Sequence, residues 1–496
     1  MKNIFVFCCI CFSSIAYSQT NSTYKERYRP QFHFSPAKNW CNDPNGLVYN
    51  SGEYHLFYQH NPFGNVWGHM TWAHAVSKDL IHWKHLPIAI AEEKDTMIFS
   101  GTCVADKNNT SGFAKKPGQI PMVAVYTGHI ENKNQSQHIA YSLDNGITWT
   151  KYNKNPVLDL GKKDFRDPKI FWHDAKQYWI MSVMFPVEHI VQFYSSNSLK
   201  DWKHLSDFGP AGDTSGVWEC PDLTQVPIED AKGKKKWLLQ MSVNGAMQYF
   251  VGEFDGINFT NENPTDKIFR PDYGPDYYAA IAYNQLPAAH LPTAIGWINN
   301  WNYANDIPTT PWKGAMSLPR TLSVKKINGE WILIQKPVEG IKSQRKMIYK
   351  DMKIGFKDLV RLPVTSQQFE IDVSIGANEG NAGLRIAVGN DHYLEIGYDN
   401  KKNLLYLDRS KIANQIFNKN FEMMTRYEIP YTLPDGWLKL RVFFDHSIAE
   451  VFVNGGERVF TAQLFPDEKD SAIEIFNSNG FGSLGYCYVY EIKSVW

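Results

Sequence analysis

The 496-residue sequence carries no excess charge of either sign: Lys and Arg together number 51, and so do Asp and Glu. Without a net field there is nothing to draw the chain to a polyanion, so nucleic acid and anionic membrane surfaces drop out as partners. Cysteine is sparse. Of seven in all, Cys8, Cys9 and Cys11 fall in the first apolar stretch, leaving Cys41, Cys103, Cys220 and Cys487. Those four are too few and too scattered for a disulfide scaffold, and none has metal-type C-x-x-C spacing. Long apolar runs are missing too. Ile4 to Ile15 is well short of the ~20 residues of a spanning helix. With Lys2 ahead of it and Ala16-Tyr17-Ser18 behind, that run reads as an export signal over residues 1–18. A lipid-anchored form is the rival reading, but no small-residue pair precedes any of the three early cysteines.

What is abundant is aromatic: 16 Trp, 26 Tyr and 29 Phe. Helical periodicity is scarce, and short runs of Val, Ile, Tyr, Phe and Trp alternate with Gly, Asn, Asp and Pro turns. That pattern makes the chain all-β. Two elements recur in phase. One is a turn closing on an aromatic residue, as in Ser77 to Trp83, Ser142 to Trp149, Ser198 to Trp202 and Phe254 to Phe259. The other opens a strand–turn–strand unit, at Asp43, Phe99 to Thr102, Asp167, Glu219 and Asp276 to Tyr278. Five openings at steps of roughly 50 to 70 residues predict a five-bladed β-propeller over residues 24–336. Beyond a charged stretch (Lys342 to Lys357), period-two alternation in Phe369 to Val373, Leu384 to Val388 and Leu438 to Val442 predicts a C-terminal β-sandwich over residues 350–496.

In a propeller the innermost strands line a central channel, so residues at their starts converge on one mouth. Asp43, Asp167 and Glu219 are then expected to meet. Glycoside hydrolysis needs two carboxyl groups in different protonation states flanking the scissile bond. Asp43 lies in an Asn-rich turn whose donors would favour the ionised form, as a nucleophile requires. Glu219, between Trp218 and Cys220, has apolar sequence neighbours that would keep it protonated as a general acid. Asp167 follows Arg166, whose charge would hold it ionised to steady an oxocarbenium-like transition state. Singly each acid is weak: an Asp before Pro is usually a turn residue, and an Arg-Asp pair is usually an exposed ion pair. The three together carry the reading. Cys41 and Cys220, each beside one of these acids, are expected to be small apolar packing residues.

The stretches Trp40 to Gly46, Arg166-Asp167-Pro168 and Glu219-Cys220-Pro221 resemble the signature motifs of glycoside hydrolase family 32, the invertases, inulinases and levanases. Gln59 to Gly64, Trp67-Gly68, Phe99-Ser100-Gly101, Trp312 to Arg320 and Asp445 to Asn454 extend the match along the chain. The resemblance implies a retaining displacement at C2 of a terminal β-fructofuranosyl unit, with Asp43 as nucleophile, Glu219 as acid/base and Asp167 as stabiliser. It implies that Asn42, Gln59, Trp67, Ser100 and Arg166 hold the fructose and that Trp40, Phe99 and Trp301 form apolar walls. No metal or organic cofactor is implied. Position 41 departs from the family, with Cys where Met is usual.

Asn61 to Met70 looks most like exo-acting inulinases and levanases, which makes release of fructose from fructan ends, with activity on sucrose, the first reading. An invertase comes next, then an endo-levanase or a fructosyltransferase. Outside that set stand a non-catalytic carbohydrate-binding propeller, against which all three acids are intact, and an inverting five-bladed hydrolase of arabinan-type polymers, which differs in carboxyl separation. The sandwich reads as a buttress, with exposed Tyr486 and Tyr488 as the case for a second sugar-binding module.

Overall fold

The structure, a computed structural model, describes residues 24–496 apart from 353, 354, 378, 379 and 479. The expected export signal lies outside the described residues. Five inner strands, Asn39–Asn50, Thr96–Ala105, Arg166–His173, Trp218–Pro227 and Tyr278–Ala282, each begin a separate antiparallel sheet. Each inner strand lies against the next, and the fifth lies against the first. The ring therefore closes as a five-bladed β-propeller. Late in the chain, Trp312–Lys313 adds to the first blade by parallel pairing with Asn39 and Trp40.

The repeated turns have one physical cause. Asp79 Oδ1 accepts the backbone N–H groups of Ile81 and His82, Asp144 Oδ1 that of Thr148, and Asp255 Oδ1 those of Ile257 and Asn258. These side chains replace backbone partners in the turn, which is why Asp recurs there. The closing aromatics join in: the indoles of Trp149 and Trp202 donate to Gly146 O and Leu199 O, both at 3.0 Å. Each blade then packs on the next through interleaved apolar side chains such as Ile180, Val191, Leu223 and Leu239.

The second unit is two sheets of seven and six strands enclosing Ile371, Val373, Leu384, Ile386, Val442, Val451, Ile475 and Val489. Its first strand, Arg345–Met352, begins ahead of residue 350 and sits at a sheet edge, pairing with Gly482–Ile492. Its charges, part of the stretch from Lys342 to Lys357, suit an edge strand, where charge discourages further pairing. The face expected to be wet is partly covered. Phe443, Phe452, Val459 and Ile492 pack against Phe32, Phe34, Leu47 and Leu318 of the propeller.

Charged groups span the same junction. His33 Nδ1 meets Asp445 Oδ2 at 2.9 Å and its Nε2 meets Glu450 Oε1 at 2.9 Å. Arg320 Nε donates to Glu450 Oε2 at 2.9 Å, and its Nη1 to Asp272 Oδ2 at 2.9 Å. All these side chains are buried. Burial opposes the imidazolium, yet the two carboxylates outweigh it and push His33 up to about 9. The propeller and sandwich are thereby bolted together with charges that have no access to water.

Candidate active site

Every inner strand has a register shift near its start. It falls between Cys41 and Pro44, Ile98 and Gly101, Arg166 and Lys169 (opposite Met184 and Ser182), Glu219 and Asp222, and Tyr278 and Ile281. A bulge bends the strand and re-aims its side chains. Five bulges around one ring turn side chains inward at a single mouth. Asp43 and Asp167 lie within their bulges, whereas Glu219 is the last paired residue before its own, opposite Ser242. The acids therefore do not hold strictly equivalent positions: Glu219 shares its register with Arg166. Asp167 (φ 65°), Cys220 (φ 50°) and Ala279 (φ 51°) take left-handed backbone inside these bulges. Such strain persists only where the surroundings enforce it.

Asp43, Asp167 and Glu219 meet in a pocket of about 230 Å³, whose walls also include Asn42, Gln59, Trp67, Phe99, Ser100, Arg166 and Trp301. Asp43 Oδ2 accepts Ser100 Oγ–H at 2.7 Å, and its Oδ1 accepts Asn42 Nδ2–H at 3.0 Å. Asp167 Oδ2 accepts the Cys220 backbone N–H at 3.0 Å, while the Asp167 N–H donates to Thr127 Oγ1 at 3.0 Å. The Cys220 thiol lies between them, 3.5 Å from Asp43 Oδ2 and 3.7 Å from Asp167 Oδ2. Burial keeps that thiol protonated, far above the usual cysteine range.

Glu219 is gripped from two neighbouring blades. Arg166 Nε and Nη2 donate to Oε1 at 3.2 and 3.0 Å, and Tyr278 O–H donates to Oε2 at 2.7 Å. Its partners are polar, unlike Trp218 and Cys220 beside it in sequence. The Trp218 indole instead donates to Asp213 O at 2.6 Å, behind the pocket.

The electrostatics depart from the reading by neighbours. Burial raises the Asp43 pKa above the ordinary carboxyl value, and Glu219 adds to the rise; Ser100, Asn42 and Cys220 pull it back only in part. Burial likewise pushes Asp167 up to about 7, with Arg166 opposing and Glu219 and Asp43 adding to the rise. Desolvation of closely spaced carboxyls beats the local donors.

Two side chains expected at the site sit differently from the rest. Trp40 is fully buried and behind the wall. Its indole donates to Asn42 Oδ1 at 2.7 Å and its ring tilts against Trp301 at 6.0 Å, so it orients two residues that do face the pocket. Its side chain points away because the strand turns between Trp40 and Asp43. Gln59 Nε2, by contrast, is buried at the pocket with no partner among the described residues. A buried donor left open in a site is a place for a ligand oxygen. Trp67 and Trp301 are 40% and 38% exposed at the rim, where flat apolar faces suit sugar C–H groups. Cys41 is buried, and its sulfur packs under Gly314, where an added Cβ would come within 2.9 Å of it.

Tyr278 and Met70, a further wall residue, were not singled out from sequence as site residues. Tyr278 had a signal: it sits where the fifth unit opens. Among the described residues the one His/Asp/Glu cluster close enough to hold a metal, His392, Asp467 and Asp470, is in the sandwich, away from this pocket.

The pocket has a floor. Lys169 Nζ meets Asp222 Oδ1 at 2.6 Å and donates to Ala282 O at 2.6 Å, and Thr102 Oγ1 donates to Pro168 O at 2.7 Å. The channel is blocked below the acids, and the site is open from one side.

Comparison with known proteins agrees over residues 33–491. Residues 33–337 match the glycosyl hydrolases family 32 N-terminal domain, and residues 338–491 match the family 32 C-terminal domain. The chain is 42% identical over 492 residues to a levanase of Bacillus subtilis (strain 168), covering 96% of this chain and 72% of the levanase. It is 38% identical over 523 residues to an extracellular exo-inulinase of Aspergillus awamori, covering 95% and 96% of the two chains. The crystal structure of exo-inulinase from Aspergillus awamori superposes with a TM-score of 0.90 at 37% identity, over 95% of this chain and 100% of that one. Fructofuranosidase from Schwanniomyces occidentalis complexed with fructose gives 0.85 at 31% identity, over 95% and 100%.

Proposed function

From the premise that this chain belongs to glycosyl hydrolase family 32, we propose that it is an exo-acting fructan hydrolase. It removes terminal β-D-fructofuranosyl units from levan or inulin and also cleaves sucrose. The observation that carries this is a blind pocket in which three acids from three blades converge under one arginine. The contacts of Lys169 and Asp222 below the acids leave a bound unit no room to extend inward, which favours a chain end. The levanase and exo-inulinase relatives support the same choice of polymer.

In this reading Asp43 attacks C2 of the bound unit while Glu219 gives its proton to the leaving oxygen. Water, deprotonated by Glu219, then cleaves the fructosyl–Asp43 ester with overall retention. Ser100 and Asn42 fix the Asp43 carboxylate, which fits a nucleophile that must keep one geometry through both steps. Asp167, held by the Cys220 N–H, faces the sugar hydroxyls and the developing positive charge. Gln59 supplies the open donor for a hydroxyl. Arg166 and Tyr278 hold Glu219 in line with the leaving group.

Residues 1–18 are read as an export signal, which supports action outside the cytoplasm, as does the name of one relative, an extracellular exo-inulinase. Among the described residues no helix is long and apolar enough to cross a membrane. The deciding experiment is a product time course on levan, inulin and sucrose in parallel. Fructose as the sole small product from the polymers is the expected outcome; a ladder of oligosaccharides would overturn exo action, and no release from any of the three would overturn the substrate class.

A further inference from the structure

At the end of the channel opposite the acids the ring is stapled shut. Asn284 Nδ2 donates to Cys103 O at 3.0 Å and to Ile170 O at 2.9 Å, joining the fifth blade to the second and third. Its backbone N–H donates to Leu47 O at 2.9 Å, adding the first blade. Gln285 completes the staple, accepting the Ala105 N–H and donating to Ala105 O, both at 2.6 Å.

Two clefts lie against this staple, of about 410 and 440 Å³, each larger than the catalytic pocket. Phe171 and Trp172 line both, so an aromatic ridge stands with a hollow on either side. Both rings are half-exposed. Trp179 props Trp172 edge-on at 5.2 Å, and Trp237 backs Phe171 at 5.3 Å. The ridge is thus rigid before any ligand arrives, which lowers the entropic cost of binding. Gln225 and Lys235 stand exposed over one hollow and Lys107 and Asp174 over the other, a sparse assortment of donors and acceptors. The ridge shares its strand, Arg166–His173, with two residues of the active site, which lie at the strand's other end.

We propose that this far mouth is a second, non-catalytic binding site for a neutral polysaccharide, and, resting on the function proposed above, that its ligand is the fructan chain itself. Rigid aromatic faces with few polar groups beside them suit sugar rings, with hydroxyls reaching Gln225, Lys235, Lys107 and Asp174. Two hollows about one ridge suit consecutive units within a chain, where the blind catalytic pocket takes only an end. Holding the polymer here raises the effective concentration of its ends at the other mouth.

The test is affinity electrophoresis through gels containing levan, inulin or dextran, run with Glu219→Gln to stop hydrolysis. The comparison is with Glu219→Gln carrying Trp172→Ala, and with Glu219→Gln carrying the exposed pair Gln225→Ala and Lys235→Ala in case the tryptophan change unfolds the blade. Retardation by levan or inulin that weakens about tenfold in either combined variant is expected, a loss of ~1.4 kcal/mol in binding. In the otherwise wild-type enzyme, Trp172→Ala should raise KM on long polymer and leave kcat/KM on sucrose unchanged. Retardation identical in all three proteins, or equal retardation by dextran, would overturn the proposal. If wild type hydrolyses fructan while the variants migrate alike, this inference fails and the proposed function stands. If wild type releases nothing from any fructan, it is the proposed function that fails.

Discussion

Arg166 holds Glu219 across the boundary between the third and fourth blades, with Nε at 3.2 Å and Nη2 at 3.0 Å from the same carboxylate oxygen. Each is the last paired residue before its strand's bulge, so two repeats of one backbone device present a cation and an acid side by side. Tyr278, at the matching position of the fifth strand, completes the grip. Three successive blades thereby fix a side chain that is 24% exposed and free to meet substrate.

Removing one arm of that grip should cost rate without costing fold. A hydrogen bond to a charged group is worth ~1.5–3 kcal/mol, so Tyr278→Phe is expected to lower kcat about tenfold or more. Arg166→Lys should do at least as much, because an ammonium cannot present two donors in the same fork. Steady-state kinetics on sucrose checks both. A Tyr278→Phe enzyme with wild-type kcat would remove the tyrosine from the mechanism.

Asp43→Asn and Glu219→Gln should each reduce hydrolysis by about 10³-fold or more, since in the proposed mechanism each removes a group that moves charge or a proton. Their melting temperatures should stay at or above the wild-type value. In Glu219→Gln, activity should return in part with a fructoside whose leaving group departs without protonation, whereas Asp43→Asn should stay inactive on it.

Asp167 gives a prediction for stability against pH. Its carboxyl is pushed up to about 7 in the fold, chiefly by burial, against 3.8 for the free group. Between those values the folded protein binds more protons than the unfolded chain, so stability falls as pH rises. Asp167→Asn removes that loss and can still accept the Cys220 N–H. The variant should melt several degrees above wild type at pH 8, match it near pH 4, and be inactive at both; equal melting at pH 8 would contradict the burial argument.

His33 shifts stability with pH in the same direction, through a charge gained rather than one suppressed. Its folded value of about 9 lies above the 6.5 of a free imidazole, so its contribution is complete below 6.5 and is lost as pH rises through 9. The wild-type melting temperature should therefore decline between pH 6.5 and 9 more steeply than that of His33→Gln. Breaking one member of a buried charge group costs ~3–5 kcal/mol, so His33→Ala should be strongly destabilised at pH 6. Parallel pH–Tm curves for wild type and His33→Gln would rule out a charged His33.

The sequence by itself determined the all-β class, the repeat that makes the blades, and the acids at their openings. These are local matters: alternation, turn chemistry and motif order are written in consecutive residues such as Ser142 to Trp149. Only the tertiary structure decided how those acids behave. Asp43 and Asp167 read as ionised beside their donors and Arg166, yet burial, which no run of neighbours reveals, raises both. Trp40 read as a wall and stands behind one, because the bulge that follows it rotates its side chain out of the pocket. Glu219 read as apolar by its neighbours, but Trp218 turns behind the pocket, and the real company of Glu219 comes from residues 53 and 59 positions away in sequence. Likewise Glu450, one residue in an alternating strand, looks solvent-facing until a second domain covers it and His33 and Arg320 arrive from the propeller. Chain order decides what each strand can be; closure of the ring decides what each side chain meets.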